Sequence, residues 1–125
     1  MRIEKDNFEG TIIQQEPLTY IMEKHGFVLG SQWDYERMTF DYKMNSQIEG
    51  VTYYLRVAGE AIEGDVDFKT AVLRLKEPYL GTHYYPHGVE YGEDEEYPQQ
   101  VLDKVDRVLD KVSEELANYK EETNQ

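Results

Sequence analysis

His83 and His87 stand four residues apart in the run His83-Tyr84-Tyr85-Pro86-His87, with Glu90, Asp94 and Glu95 following. Two imidazoles beside carboxylates are a donor set for a divalent cation, and on a helix this spacing would bring both rings to one ion. Pro86 argues for a loop instead, because a proline inside a helix removes a hydrogen bond and clashes with the preceding turn. The plainer reading is a surface loop whose tyrosines pack on the core edge. A loop site would use His83, Tyr85, His87 and Glu90, with His83 and His87 as the metal ligands. Paired carboxylates offer acid–base chemistry, either Asp34 with Asp41 or the acids of 93–96. On a wet surface such groups stay ionised near ~4, which makes them useless as acids at neutral pH. Ser31, Ser46 and Ser113 lack a G-x-S-x-G setting, and Gly59 stands alone between Ala58 and Glu60, so there is neither a nucleophile elbow nor a phosphate loop. No catalytic residue is assigned, no cofactor is expected, and a non-enzymatic role is the leading expectation.

These residues depend on a framework that alternation makes readable. Trp33-Asp34-Tyr35 is followed by Phe40-Asp41-Tyr42, so the same triplet lies on two arms of one hairpin. Side chains of a strand alternate between faces, which sets Trp33, Tyr35, Phe40 and Tyr42 on one side and both aspartates on the other. Four strands follow by parity, at 27–35, 38–46, 51–58 and 70–76, joined by turns near 36–37, 47–50 and 63–65. Their inner rows read Trp33, Phe40, Val57, Ala71; then Ser31, Tyr42, Leu55, Leu73; then Leu29, Met44, Tyr53, Leu75. The outer rows set Asp41 opposite Arg56, between Gln32 and Val72, and align Gly30, Lys43, Tyr54 and Arg74. Asp41 with Arg56 would be a cross-strand ion pair and Tyr54 with Arg74 a cation–π contact, each worth at most about 1 kcal/mol if exposed. The outer face is either a solvated layer that deters aggregation or a recognition surface made of Asp34, Asp41, Tyr54, Arg56 and Arg74.

Helices must cover the apolar face. The sequence predicts a short one over 17–25, with Pro17 in its first turn, Leu18, Ile21 and Met22 on one side and Gly26 closing it. Residues 8–15 read as an edge strand. From Pro98, Val101, Leu102, Val105, Val108, Leu109, Val112, Leu116 and Tyr119 recur at helical spacing, and the uncovered sheet competes with a coiled-coil partner for that stripe. A helix of about 22 residues would be ~33 Å long, enough for Leu116 and Tyr119 to overhang the sheet and serve a dimer. Residues 76–98, rich in Tyr, Pro and Gly, are the longest irregular stretch. The fold class is α+β: an antiparallel meander of four to five strands, one face covered by a long C-terminal and a short N-terminal helix.

At 125 residues the chain suits one domain, 1–125, with its core in 8–119 and a frayed tail at 120–125. It holds 26 acidic and 13 basic residues, a net charge of −13, with no basic run. That charge disfavours nucleic acid and anionic membrane surfaces and favours cationic partners. There is no cysteine, hence no disulfide or zinc-thiolate site, and no apolar window approaches the ~20 residues of a membrane span. The expectation is a cytoplasmic protein.

Gly30-Ser31-Gln32-Trp33-Asp34-Tyr35, Phe40-Asp41-Tyr42-Lys43, Leu55-Arg56 and Leu75-Lys76-Glu77-Pro78-Tyr79-Leu80 with His83 together resemble the YugN-like family of bacilli. The likeness runs over about 27–85 and continues loosely into the C-terminal helix. It implies a small cytoplasmic α+β protein, an antiparallel sheet backed by helices and similar in topology to half of a TATA-binding protein. It implies no activity and carries over no functional residue. The expected partner is another protein or a second copy of the chain, bound through the outer sheet face, the alternative being the small-ligand or cation site of the 76–98 loop.

Overall fold

A computed structural model describes residues 1–30, 36–84, 89–90 and 96–123. Helix α1 spans Gln15–Lys24 and α2 spans Gln99–Thr123. The strands are β1 (Ile12–Gln14), β2 (Val28–Leu29), β3 (Arg37–Asn45), β4 (Val51–Glu63), β5 (Val72–Leu75), β6 (Tyr79–Tyr84) and β7 (Val89–Glu90). All are antiparallel in one open sheet of order β1-β5-β4-β3-β2, with β6 on β4 and β7 on β6. The fold is α+β, as the sequence predicts.

Parity placed the central hairpin correctly. Phe40 lies opposite Val57, Tyr42 opposite Leu55, Met44 opposite Tyr53, and Asp41 opposite Arg56. Two neighbouring registers differ from expectation. Phe40 takes Leu29 where Trp33 was expected, a slip of four residues, so Val28 sits opposite Asp41 and Gly30 N–H donates to Thr39 O at 2.7 Å. Leu73 takes Ala61 in place of Leu55, a slip of six, because the chain does not turn tightly at 63–65 but passes through a 3-10 turn at Val66–Phe68. Both slips are even, and an even slip leaves every side chain on its own face, so apolar patterning cannot detect it. Trp33, Asp34 and Tyr35 lie outside the described residues.

The largest departure is β6, inside the stretch expected to be irregular. β4 is thirteen residues long, and it pairs with β5 through Gly59–Glu63 and with β6 through Val51–Arg56. β5 and β6 thus form one interrupted line along a single edge of β4. Between them, at 76–78, the pairing slips by one residue, Lys76 N–H still reaching Ala58 O at 3.0 Å. A one-residue slip reverses sidedness. Accordingly Leu73 and Leu75 point inward on β5, whereas Leu80 and Thr82 do so on β6.

The N-terminal residues close the far edge of this line. Met1 and Leu80 exchange backbone hydrogen bonds of 2.7 and 2.8 Å, Ile3 N–H donates to Pro78 O, and β1 pairs with β5. The same segment is tied to α2 by Lys5 to Asp106 and Asp110, and by Ser113 Oγ donating to Asp6 O at 2.8 Å.

Two helices cover the inner face. Gly26, at φ +90°, follows the end of α1; its N–H donates to Glu23 O and that of Phe27 to Met22 O, satisfying the last carbonyls while Phe27 enters the core. On α2, Val105, Val108, Leu109, Val112 and Leu116 are all buried against the sheet's inner residues, and Leu116 is only 1% exposed. The expected overhang at Leu116 is therefore absent: α1 packs beside α2 and covers that turn.

Glu115 joins the helices, accepting from Lys24 Nζ at 2.7 Å and contacting His25 Nε2. The Lys24 hydrogen bond is the main influence holding its carboxyl below the usual carboxylate range; burial opposes it and His25 assists. A lowered folded-state value makes this stabilisation complete above the unfolded value of about 4.3 and lost as pH falls through the folded one. Glu115→Gln is expected to lower stability by about 1 kcal/mol at neutral pH, a gap that closes as pH falls below the unfolded carboxylate value. Urea titrations of both proteins across pH check this; a gap constant with pH would refute it.

Candidate functional site

The face of the sheet opposite the helices carries most of the residues singled out from sequence. Arg56 Nε donates to Asp41 Oδ1 at 2.7 Å and Nη2 to Oδ2 at 2.8 Å, a bidentate pair across β3 and β4. The two side chains are only 12% and 16% exposed. Sequence reasoning treated this pair as a wet contact worth at most about 1 kcal/mol. Shielding changes that, because removing one partner strands the other's charge, at a cost of about 1–3 kcal/mol or more. The pair is a rigid fixture of the face.

Around it, β4 and β6 bring together two sets that the sequence kept apart. Tyr54 lies between Lys43 and buried Gly81 in register. His83, expected in a loop, occupies an outward position of β6 and meets Tyr54 edge to face at 6.3 Å between ring centroids. Tyr79 stands next to Arg56 in register, and its hydroxyl accepts from Arg2 Nη2 at 3.0 Å. Arg74 is not part of this group. It sits opposite Glu60, which pairs with Lys76 at 2.7 Å, so the predicted Tyr54–Arg74 contact does not form. Tyr85 and His87 lie outside the described residues, as does the side chain of Glu90. Among the described residues no three His, Asp or Glu side chains cluster as cation ligands.

The outward strand positions also depart from the charge of the whole. Among the described outward strand positions, Arg37, Lys43, Arg56 and Arg74 stand against Asp41, Glu60 and Glu63, four bases to three acids in a chain of net charge −13. Its described strand positions escape the acidity of the whole, and composition averaged over the chain conceals it.

A family model described as the YugN-like family matches residues 4–125. The chain belongs to the YugN-like family. Its relatives include the uncharacterized protein YlbA of Bacillus subtilis, 46% identical over 116 residues, covering 93% of this chain and 95% of that protein. YugN of the same organism is 28% identical over 72 residues, covering 58% and 52% of the two chains. The crystal structure of the uncharacterized conserved protein YugN from Geobacillus kaustophilus superimposes with a TM-score of 0.82 at 42% identity, over 97% of this chain and 98% of that one. The resemblance read from the aromatic-Asp-Tyr triplets thus extends over nearly the whole YugN-like chain, including the N-terminal segment and α2. Among the described residues of this YugN-like protein no helix is long and apolar enough to cross a membrane.

Sequence reasoning missed Tyr79 and Arg2 as part of the face. The signal for Tyr79 was its place after Pro78 in a run with three tyrosines and a threonine, residue types that favour a strand.

Proposed function

We propose that this YugN-like protein is a non-enzymatic binding module whose outer sheet face receives an acidic segment of another protein or of a second copy of itself. The observation that supports this reading is the grouping of half-buried Tyr54, Tyr79 and His83 with Lys43 around the shielded Asp41–Arg56 pair. Aromatic side chains supply contact area at low entropic cost, and a pre-paired arginine offers oriented donors without needing to be ordered on binding. The slight excess of bases over acids at these positions favours acidic partners, whereas the negative charge of the rest of the molecule repels polyanions such as nucleic acid. The reading carries a cytoplasmic location.

The test uses side chains that lie outside the core. Lys43→Glu with Tyr54→Ala is expected to leave the melting temperature nearly unchanged while abolishing capture of partners held by the wild type, and any self-association seen by sedimentation. Binding that survives both substitutions would show that the face is merely solvated. The reading of a divalent cation or small ligand at His83, Tyr85, His87 and Glu90 has one support, the placement of His83 against Tyr54. A ligand at a hundred times its dissociation constant adds about 2.7 kcal/mol of stability, so a thermal-shift panel of divalent metals and metabolites decides it. A flat response across the panel removes that reading.

A further inference from the structure

Away from the Asp41–Arg56 pair, α1, β2, the start of β3 and the 3-10 turn line a cleft of about 540 Å³. Its apolar lining comes from Tyr20, Leu29, Met38 and Val66. Tyr20 is 68% and Leu29 45% exposed, and Phe68, between the lining residues Asp67 and Lys69, is 77% exposed. Two of the molecule's large exposed apolar side chains, Tyr20 and Leu29, therefore line one opening, whereas isolated ones would need no explanation.

Acidic groups outnumber basic ones at the cleft. Glu16, Glu23 and Asp67 line it against the single ammonium of Lys69. Gln15, at its floor, is 94% buried, since only 6% of it is exposed. Its Nε2 donates to Val66 O at 3.1 Å, while its Oε1 has no hydrogen-bond partner. Concavity, an apolar lining and a few convergent acceptors are the usual makings of a small-molecule site.

We propose that this cleft binds a small organic cation, an amine or guanidinium carried on an apolar body. The apolar part lies against Tyr20, Leu29 and Met38, and the cationic head faces the carboxylates of Glu16, Glu23 and Asp67. The site is separate from the outer sheet face and does not depend on its role.

Phenethylamine serves as the probe and phenethyl alcohol as its neutral counterpart, each titrated into the whole chain and followed by backbone amide NMR. Saturable shifts in α1, β2 and the 3-10 turn with the amine, and affinity at least tenfold weaker for the alcohol, are expected, since a charge-assisted hydrogen bond is worth about that factor or more. Glu23→Gln with Asp67→Asn should weaken the amine by a similar factor and leave the spectrum otherwise intact. Glu23 lies in the last turn of α1, where loss of a negative charge does not harm the helix, so the variant keeps its fold. Equal binding of amine and alcohol, undiminished binding by the variant, or no shifts in these elements would each overturn the proposal.

Discussion

Leu109→Ala is expected to lower the unfolding free energy by about 2–5 kcal/mol, the range for a large aliphatic truncated in a packed core. Leu109 is fully buried at the centre of the α2 stripe, and the helix of which it is part covers the sheet that holds Phe40, Leu55, Val57 and Leu73. That coverage distinguishes a core helix from a coiled-coil seam. If α2 were reserved for a second copy, the loss would depend on protein concentration and vanish in the dilute monomer. Urea denaturation at two concentrations a hundredfold apart separates the two cases. A loss under about 1 kcal/mol, or one confined to the concentrated sample, would overturn the assignment of the stripe to this chain's own core.

The second large effect is at Gly64. Its φ is +72°, and a Cβ there would lie 2.2 Å from the Thr70 carbonyl oxygen and 2.6 Å from its carbon. Backbone cannot swing aside as a side-chain end can. Gly50 gives the internal control, because its φ is +81° and a Cβ would meet nothing within 4 Å. Gly50→Ala is expected to cost about 1–2 kcal/mol, the left-handed penalty alone. Gly64→Ala should cost clearly more, because the link around the 3-10 turn has to move as well. Asp65 caps that turn by accepting from Asp67 N–H at 2.8 Å, and Thr70 N–H returns to Asp65 O. Equal losses for the two variants in parallel urea titrations would mean that the 64–70 link gives way freely.

The sheet was legible where sidedness alone determined the answer. Phe40, Tyr42, Leu55 and Val57 alternate strictly, the even loop at 47–50 leaves one sensible register, and Asp41 is thereby brought to Arg56. Where a connection is longer than a tight turn, several even offsets satisfy the same alternation, and the 3-10 turn before β5 selected one that composition does not encode. β6 was hidden for another reason. Its inner positions are Leu80 and Thr82 and its outer ones Tyr79, Gly81 and His83, so polarity does not alternate as it does in the other strands. The role of residues 1–7 was missed because they are held by backbone hydrogen bonds to β6 and by polar contacts to α2, and of their alternating half-buried positions only Met1 and Ile3 are apolar, too few to read as a strand. Half of the candidate face was accordingly visible as a cross-strand pair, and the other half became apparent only once β6 had a place.

The one-residue offset between β5 and β6 fixes a length more strictly than any identity nearby. Were the link at 76–78 one residue shorter, the downstream strand would rotate by half a turn: Tyr79, Gly81 and His83 would point at the helices, and Leu80 and Thr82 would meet water. Substitutions are affordable there, whereas a gap of one codon would turn the proposed contact surface inside out.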